Sequence, residues 1–189
     1  MLERISIVIP LNNESEELSS LLYGIHAAMI DQAIPWELIA VDDGSTDDTL
    51  DVLRSHQTAL NNLTILSYKT RRGQSAPVWS GLAIATGTIL VTMDGDGQQD
   101  PADICLLIQK ILEGYDFVIG QRTERADPFS KCLFSNVCNR LRRLLTRSSI
   151  PETGCSLRAF RQTVVADLIP FTAFHRFLPT MIELSGHRL

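Results

Sequence analysis

The sequence has no apolar run of the roughly 18 to 20 residues that a membrane-spanning helix requires. Its four cysteines show no Cys-x-x-Cys spacing, and no apolar signal segment precedes Ile5, so we expect a reduced, cytosolic compartment rather than secretion. No internal repeat or low-complexity linker divides the 189 residues, of which 44% are hydrophobic. This content is enough for one well-packed core, and we expect a single domain.

Basic residues are outnumbered by acidic ones, and the chain has a net charge of -5. The charge is uneven, because residues 122–161 carry nine lysines and arginines against three acidic residues. A nucleic-acid-binding domain would normally be basic overall, with aromatic residues among the basic ones, and we therefore expect no nucleic-acid partner. A local anionic partner, such as a phosphate or a membrane surface, fits this pattern better.

Two glycine-rich nucleotide signatures are also missing. The first predicted strand is not followed by Gly-x-Gly-x-x-Gly, and Gly-x-x-x-x-Gly-Lys-Ser/Thr occurs nowhere in the chain. These absences exclude a typical dinucleotide site and a P-loop.

Short apolar runs alternate with segments of helical periodicity. We predict strands at 5–9, 36–41, 63–67 and 117–120, and a fourth strand in the apolar run that begins at Thr88. The intervening segments repeat their apolar residues at helical spacing. This alternation with short connections predicts an α/β fold with a mostly parallel sheet and helices on both faces.

The run from Thr88 leads directly into Asp94-Gly95-Asp96-Gly97-Gln98. Two carboxylates and an amide oxygen at the carboxyl end of a strand form an all-oxygen ligand set, which suits Mg²⁺ or Mn²⁺ on a diphosphate rather than zinc. We therefore predict that Asp94, Asp96 and Gln98 bind a divalent cation.

This motif has three other interpretations. An EF-hand loop is excluded, because Gln99 stands at the glycine position and Cys105 where the bidentate glutamate should be. A turn that caps a helix at Asp100-Pro101 explains Asp100, but not the two aspartates before it. Haloacid-dehalogenase-type phosphatases also place Asp-x-Asp-Gly after an apolar strand, and the local sequence leaves that alternative open.

Further polar residues follow the other predicted strands, and parallel strands end at one edge of a sheet. We therefore expect these residues to converge with the Asp-Gly-Asp motif. They are Pro10, Asn12 and Glu14 after the first strand, Asp42 and Asp43 after the second, Arg71 and Arg72 after the third, and Arg122 after the fifth.

The basic region contains a segment, 128–147, whose apolar residues fall within one arc of a helical wheel. Arg140, Arg143 and Arg147 flank that arc. Two interpretations stay open, a core-facing helix with a solvated basic side and an amphipathic helix whose arginines meet lipid headgroups. Residues 152–161 form a glycine turn followed by arginines three apart, which is a candidate anion-binding segment.

The ordered motifs at 8–14, 41–47, 93–98 and 120–122 resemble those of family-2 glycosyltransferases with the GT-A (nucleotide-diphospho-sugar transferase) fold. Residues 153–161 are similar to the acceptor-side motif of the polyprenyl-phosphate sugar transferases, a branch that includes dolichol-phosphate mannose synthase. The resemblance covers nearly the whole chain. Gln74 stands where many members have lysine, and Glu152 where aspartate is usual.

The resemblance implies a role for each matching residue. Pro10, Asn12 and Glu14 would line the nucleoside, and Asp42 with Asp43 would hold base and ribose. Asp94, Asp96 and Gln98 would hold Mg²⁺ or Mn²⁺, with Asp96 and Arg122 in the catalytic centre. Arg72 would assist donor binding, Arg122 would neutralise phosphate, and Arg158 would serve the acceptor.

The implied activity is inverting transfer of a hexose of mannose or glucose type from a GDP- or UDP-linked donor to a polyprenyl phosphate. We expect a peripheral protein on the cytoplasmic face of a membrane. Residues 1–122 would form the nucleotide-sugar half and 123–189 the acceptor half. Members continue beyond the position of Leu189, so we expect a truncated chain, membrane-anchored if the full-length protein continues. The alternatives are a non-catalytic nucleotide-sugar-binding subunit and a phosphatase.

Overall fold

The computed structural model describes residues 3–121, 155–168 and 174–189, with the backbone alone at 175 and 176. The strands are Ile5–Leu11 (β1), Trp36–Asp42 (β2), Leu63–Ser67 (β3), Ile89–Thr92 (β4), Phe117–Ile119 (β5) and Arg158–Arg161 (β6). The helices are Ser15–Met29 (α1), Thr49–Gln57 (α2), Ser75–Ile84 (α3), Asp103–Leu112 (α4), Gln162–Val165 (α5) and Phe174–Leu184 (α6).

The strands form one sheet in the order β3-β2-β1-β4-β6-β5. Strands β3, β2, β1 and β4 are parallel to one another, whereas β6 pairs antiparallel with both β4 and β5. The predicted α/β class with a mostly parallel sheet is confirmed.

Strand β1 is buried on both faces of the sheet and has a core on each side. Because successive side chains point to opposite faces, Ile7 packs in the core that contains α1, whereas Val8 packs in the core that contains α3. This double burial explains why the strand is a nearly continuous apolar run, interrupted by Ser6, rather than an alternating one.

Helices α1 and α3 are held against these two faces in different ways. Helix α1 buries Leu18, Leu21, Leu22, Ile25 and Met29, which recur at three- and four-residue intervals. Helix α3 approaches β1 through Gly81, where a Cβ atom would lie only 2.3 Å from Val8 Cγ1. A glycine is needed here because there is no space for a side chain between the helix and the strand.

Strand β1 ends later and helix α3 ends earlier than the sequence pattern indicates, since the predicted strand stops at Ile9 and the helical segment of small residues continues to Gly87. Strand β1 continues through Pro10 to Leu11, because β4 pairs with β1 only as far as Val8, so the missing N–H of Pro10 breaks no pairing on that side. Helix α3 ends at Ile84 rather than Gly87. There the backbone of Ala85 becomes extended, and the Thr86 N–H donates to Glu37 Oε1 at 2.8 Å instead of to a helix carbonyl.

Strand β6 was not predicted. The sequence indicates only a candidate anion-binding segment here, because an apolar pair between two arginines is too short to show the pattern of a strand. In the structure Ala159 and Phe160 are fully buried and Arg158 is 5% exposed.

Some predictions fall outside the residues that the structure describes, namely the helix at 128–147, Arg122 and the glycine turn at 152–154. The division into halves at residue 122 also stays a prediction. None of the helices within the described ranges is long and apolar enough to cross a membrane.

Candidate functional site

A cleft of about 300 Å³ opens where β1, β2 and β4 end. The residues that line it come from the end of β1, from the loops after these strands, and from the start of α3 with the loop that leads into it. They are Pro10, Leu11, Asn12, Glu14, Asp43, Arg71, Gln74, Pro77, Asp94, Gly95 and Asp96. Six of the predicted site residues therefore meet in one place: Pro10, Asn12, Glu14, Asp43, Asp94 and Asp96.

Asp43 links the loop after β2 to the loop after β3. The residue is 3% exposed. Its carboxylate accepts hydrogen bonds from the backbone N–H groups of Arg72 at 2.7 Å and Gly73 at 2.8 Å. The Asp43 carbonyl accepts the side-chain amide of Asn12 at 3.0 Å. A buried carboxylate that accepts two backbone N–H groups fixes the position of the loop that borders the cleft.

Asp42 lies next to Asp43 but has different partners and does not line the cleft. Its carboxylate accepts the Ser45 N–H at 3.0 Å and the Ser67 hydroxyl at 2.9 Å. Gly44 lets the β3–α3 loop come close, because it has a φ of +67° and a Cβ on it would lie 2.6 Å from the Thr70 carbonyl carbon. The structure thus gives Asp42 a supporting position behind the loop, and its predicted contact with the nucleoside stays a prediction.

The two arginines after β3 also separate. Arg71 lines the cleft, whereas the guanidinium of Arg72 lies 4.8 Å from the centre of the Tyr68 ring. The role in donor binding was predicted for Arg72, since two adjacent arginines give no indication of which one faces the ligand.

Asp94 and Asp96 stand on the side of the cleft formed by β4. The side-chain amide of Gln74 donates to Asp94 Oδ1 at 2.8 Å, and the Gln98 backbone N–H donates to Asp96 Oδ1 at 3.1 Å. The side chain of Gln98 is exposed and is not among the residues that line the cleft.

Among the described residues, no group of three or more His, Cys, Asp or Glu side chains is arranged to hold a metal ion. Two carboxylates in an open cleft nevertheless fit a hard cation, because Mg²⁺ is commonly bound by one or two carboxylates together with water and substrate phosphates. Burial raises the pKa of Glu14, and the negative charges of Asp96, Asp47 and Asp94 raise it further. The cleft therefore holds an excess of negative charge that a cation would neutralise.

A buried network on the other side of Asp94 was missed. The Asp94 N–H donates to Gln99 Oε1 at 3.3 Å, and the Gln99 amide donates to the Ser156 hydroxyl. The Thr92 hydroxyl donates to the Ser156 carbonyl at 3.0 Å. These bonds connect the Asp-Gly-Asp motif to the segment before β6, and no pattern in the sequence indicated them.

Arg158, at the start of β6, is almost fully buried next to this network. Its Nε donates to the Cys155 carbonyl at 2.8 Å. Burial lowers the pKa of Arg158 to about 10, against the opposing effect of the Asp94 charge. The arginine stays protonated at neutral pH and adds positive charge near Asp94.

Asp47 accepts hydrogen bonds from the first residues of two helices. One carboxylate oxygen accepts the Ser15 N–H of α1 at 3.2 Å, and the other accepts the Thr49 N–H of α2 at 3.1 Å and its hydroxyl at 2.6 Å. Burial raises the pKa of Asp47, but hydrogen bonds from Thr49 and Ser15 outweigh that effect and lower it to about 2.

The sequence profile of Glycosyl transferase family 2 matches residues 6–169. The undecaprenyl-phosphate 4-deoxy-4-formamido-L-arabinose transferase of Salmonella paratyphi A is 28% identical over 188 residues, which are 99% of this chain and 58% of the relative. The dodecaprenyl-phosphate galacturonate synthase of Rhizobium johnstonii is 33% identical over 181 residues, 94% of this chain and 54% of the relative. The chain thus spans a little over half the length of these relatives.

Solved structures show the same fold. A mannosyltransferase from Pyrobaculum calidifontis in complex with GDP-Man and Mn²⁺ matches with a TM-score of 0.72 at 22% identity, over 100% of this chain and 54% of that one. Glucosyl-3-phosphoglycerate synthase from Mycobacterium tuberculosis, in complex with UDP, matches with a TM-score of 0.70 at 23% identity, over 93% of this chain and 64% of that one.

Proposed function

The chain belongs to glycosyl transferase family 2, as the resemblance predicted, and we propose that it transfers a sugar from a nucleoside diphosphate to a polyprenyl phosphate. The predicted GT-A fold is confirmed as well. The relatives from Salmonella and Rhizobium are both named for a polyprenyl phosphate, which supports this class of acceptor.

The observation that carries the proposal is the meeting of Asp43, Asp94 and Asp96 in one cleft at the carboxyl ends of the strands. In this proposal Pro10, Asn12 and Glu14 line the nucleoside together with Asp43. The loops behind the nucleoside are shaped by Asp42, through its hydrogen bond with Ser45, and by Arg72, which stacks on Tyr68. This position agrees with the general rule that open α/β sheets bind ligands beyond the carboxyl ends of their strands.

Asp94 and Asp96, with Gln98 beside them, are proposed to hold Mg²⁺ or Mn²⁺ on the diphosphate. When bound, such a cation stabilises the negative charge that develops on the departing nucleoside diphosphate. The Mn²⁺ in the Pyrobaculum structure supports a divalent ion in this fold. The carboxylates supply only part of a coordination shell, and this agrees with a shell that the donor itself completes.

The proposed acceptor does not need a general base. A sugar hydroxyl must lose its proton on attack, whereas a phosphate monoester is already largely anionic near neutral pH, since its second pKa is about 6. What the site must supply is positive charge. Arg158, buried beside Asp94, and Arg122, which lies outside the described residues, are the proposed sources.

The sugar is proposed to be a hexose of mannose or glucose type on GDP or UDP. The two polyprenyl-phosphate relatives are named for a formamido-arabinose and a galacturonate, so the panel that tests the sugar must contain pentose and uronic acid donors as well. We also propose that the protein works at the cytoplasmic face of a membrane, where a polyprenyl phosphate presents its headgroup.

The test has two steps. Thermal melts with a panel of GDP- and UDP-sugars, each with and without Mn²⁺ or Mg²⁺, should identify one donor that raises the melting temperature only when the metal is present. Adding undecaprenyl phosphate in detergent should then release the nucleoside diphosphate. Donor binding without release would favour a non-catalytic subunit, and phosphate release without a sugar acceptor would favour a phosphatase.

A further inference from the structure

Gln74 connects the loop after β3 to the carboxylate of Asp94. Its side-chain Nε2 donates to Asp94 Oδ1 at 2.8 Å, and both residues line the cleft. The two residues before Gln74 are fixed in turn, because the backbone N–H groups of Arg72 and Gly73 donate to the buried carboxylate of Asp43. Asp43 thus holds the backbone that leads into Gln74, and in this way it helps to set the position of the Gln74 side chain.

We propose that Gln74 is a positioning residue that orients Asp94 for the divalent cation; this inference rests on the proposed function. A carboxylate that binds a metal ion is usually held by an outer hydrogen bond, and loss of such a partner typically costs about 10- to 100-fold in metal affinity. An amide suits this role because it fixes the oxygen without neutralising it.

The competing explanation is that this hydrogen bond merely ties α3 to β4. Packing already holds the helix, because Val78 and Leu82 are buried in the core and Gly81 lies against Val8 of β1. An exposed hydrogen bond adds little to such an interface, so its removal should change stability by less than about 0.5 kcal/mol. The two explanations therefore differ in what the loss of Gln74 affects.

The experiment is a titration with Mn²⁺, in which electron paramagnetic resonance measures the free ion. It is done with Mn²⁺ alone and repeated with UDP and with GDP. Gln74→Ala should bind Mn²⁺ about 10- to 100-fold more weakly than wild type, with an unchanged melting temperature in the absence of metal.

Gln109→Ala is the matched control, because Gln109 is an exposed residue of α4 and does not line the cleft. It should bind Mn²⁺ as wild type does. Asp94→Asn separates this inference from the proposal beneath it. If Asp94→Asn binds Mn²⁺ like wild type, the proposed metal site fails.

If Asp94→Asn loses Mn²⁺ while Gln74→Ala retains it, the role given to Gln74 is overturned and the metal site stands. A fall of several degrees in the metal-free melting temperature of Gln74→Ala would overturn it too, because that result identifies a structural tie.

Discussion

At the scale of single residues, Asp94 and Asp96 both line the cleft and accept hydrogen bonds from neighbouring residues. Asp94→Asn and Asp96→Asn keep the side-chain volume but remove one charge each. We expect either change to lower sugar transfer at least about 10²-fold, in line with the loss of one preorganised electrostatic contact.

The measurement is transfer at saturating Mn²⁺, beside thermal melts in the absence of metal. Unchanged melts with lost transfer would support the assignment. Transfer close to that of wild type in both variants would show that these carboxylates do not hold the metal.

Asp43 is a second residue whose surroundings predict an outcome. Its carboxylate lines the cleft and also holds the Arg72 and Gly73 backbone, so Asp43→Ala should remove a ligand contact and release the loop together. We expect the affinity for the nucleoside diphosphate to fall. Calorimetric titration measures this, with Asp48→Ala as control, since Asp48 is exposed and makes no side-chain cap bond to α2.

Neighbouring residues of the same type mark the limit of prediction at this scale. The pairs Asp42-Asp43 and Arg71-Arg72 could both be placed at the edge of the sheet, because each follows an apolar run. Which member faces the cleft depends on the path of each loop, and the loops are fixed by contacts between residues about thirty apart, such as Asp43 with Gly73. For the same reason the bond between Gln74 and Asp94 could not be predicted.

At the scale of elements, Asp47 joins the amino ends of α1 and α2 with one carboxylate. Replacing an N-cap aspartate with alanine typically costs about 0.5 to 2 kcal/mol, and we expect Asp47→Ala to lose an amount in this range. Because the folded-state pKa of about 2 lies below the ordinary value of 3.8, this contribution is fully present above that value. It is lost as the pH falls through about 2.

Urea denaturation of wild type and Asp47→Ala at pH 6 and at pH 3 checks this prediction. The difference in the free energy of unfolding should be smaller at pH 3. A difference that does not change with pH would mean that the charge of Asp47 contributes nothing to the two caps, and loss of donor binding in this variant would mean that the nucleoside lies on another part of the loop.

Most elements could be predicted because their signals are local. The apolar repeat of α1 and the run of β1 each lie within fifteen or fewer consecutive residues. Strand β6 has no such signal. It is a strand because it pairs with β4 and β5, which lie about 40 to 70 positions earlier in the chain, and its short Ala159-Phe160 pair is too small to show a period.

At the scale of the whole molecule, the separation of charge is the main feature that the cleft does not explain. Residues 122–161 carry nine of the seventeen lysines and arginines in a chain whose net charge is -5. In the proposed function, the acids of the cleft bind the cation of a nucleoside diphosphate. The basic region suits the other proposed partner, a lipid phosphate in an anionic surface.

This division leads to a prediction for the segment at 128–147, which lies outside the described residues. Its sequence places Arg140, Arg143 and Arg147 on one side of a predicted helix, and each cation near an anionic surface contributes roughly 1 kcal/mol. Replacing all three with glutamine should therefore lower association with anionic vesicles by on the order of 10²-fold, while nucleotide binding in the cleft stays unchanged. Flotation with liposomes measures the association, and high salt should weaken it by screening the charges.

The control replaces Arg54, Lys110 and Arg188, three exposed cations elsewhere on the chain, and should float like wild type. Equal flotation of both triple variants would mean that these arginines are only a solvated face, and the acceptor assignment would then depend on residues 153–161 and the relatives alone.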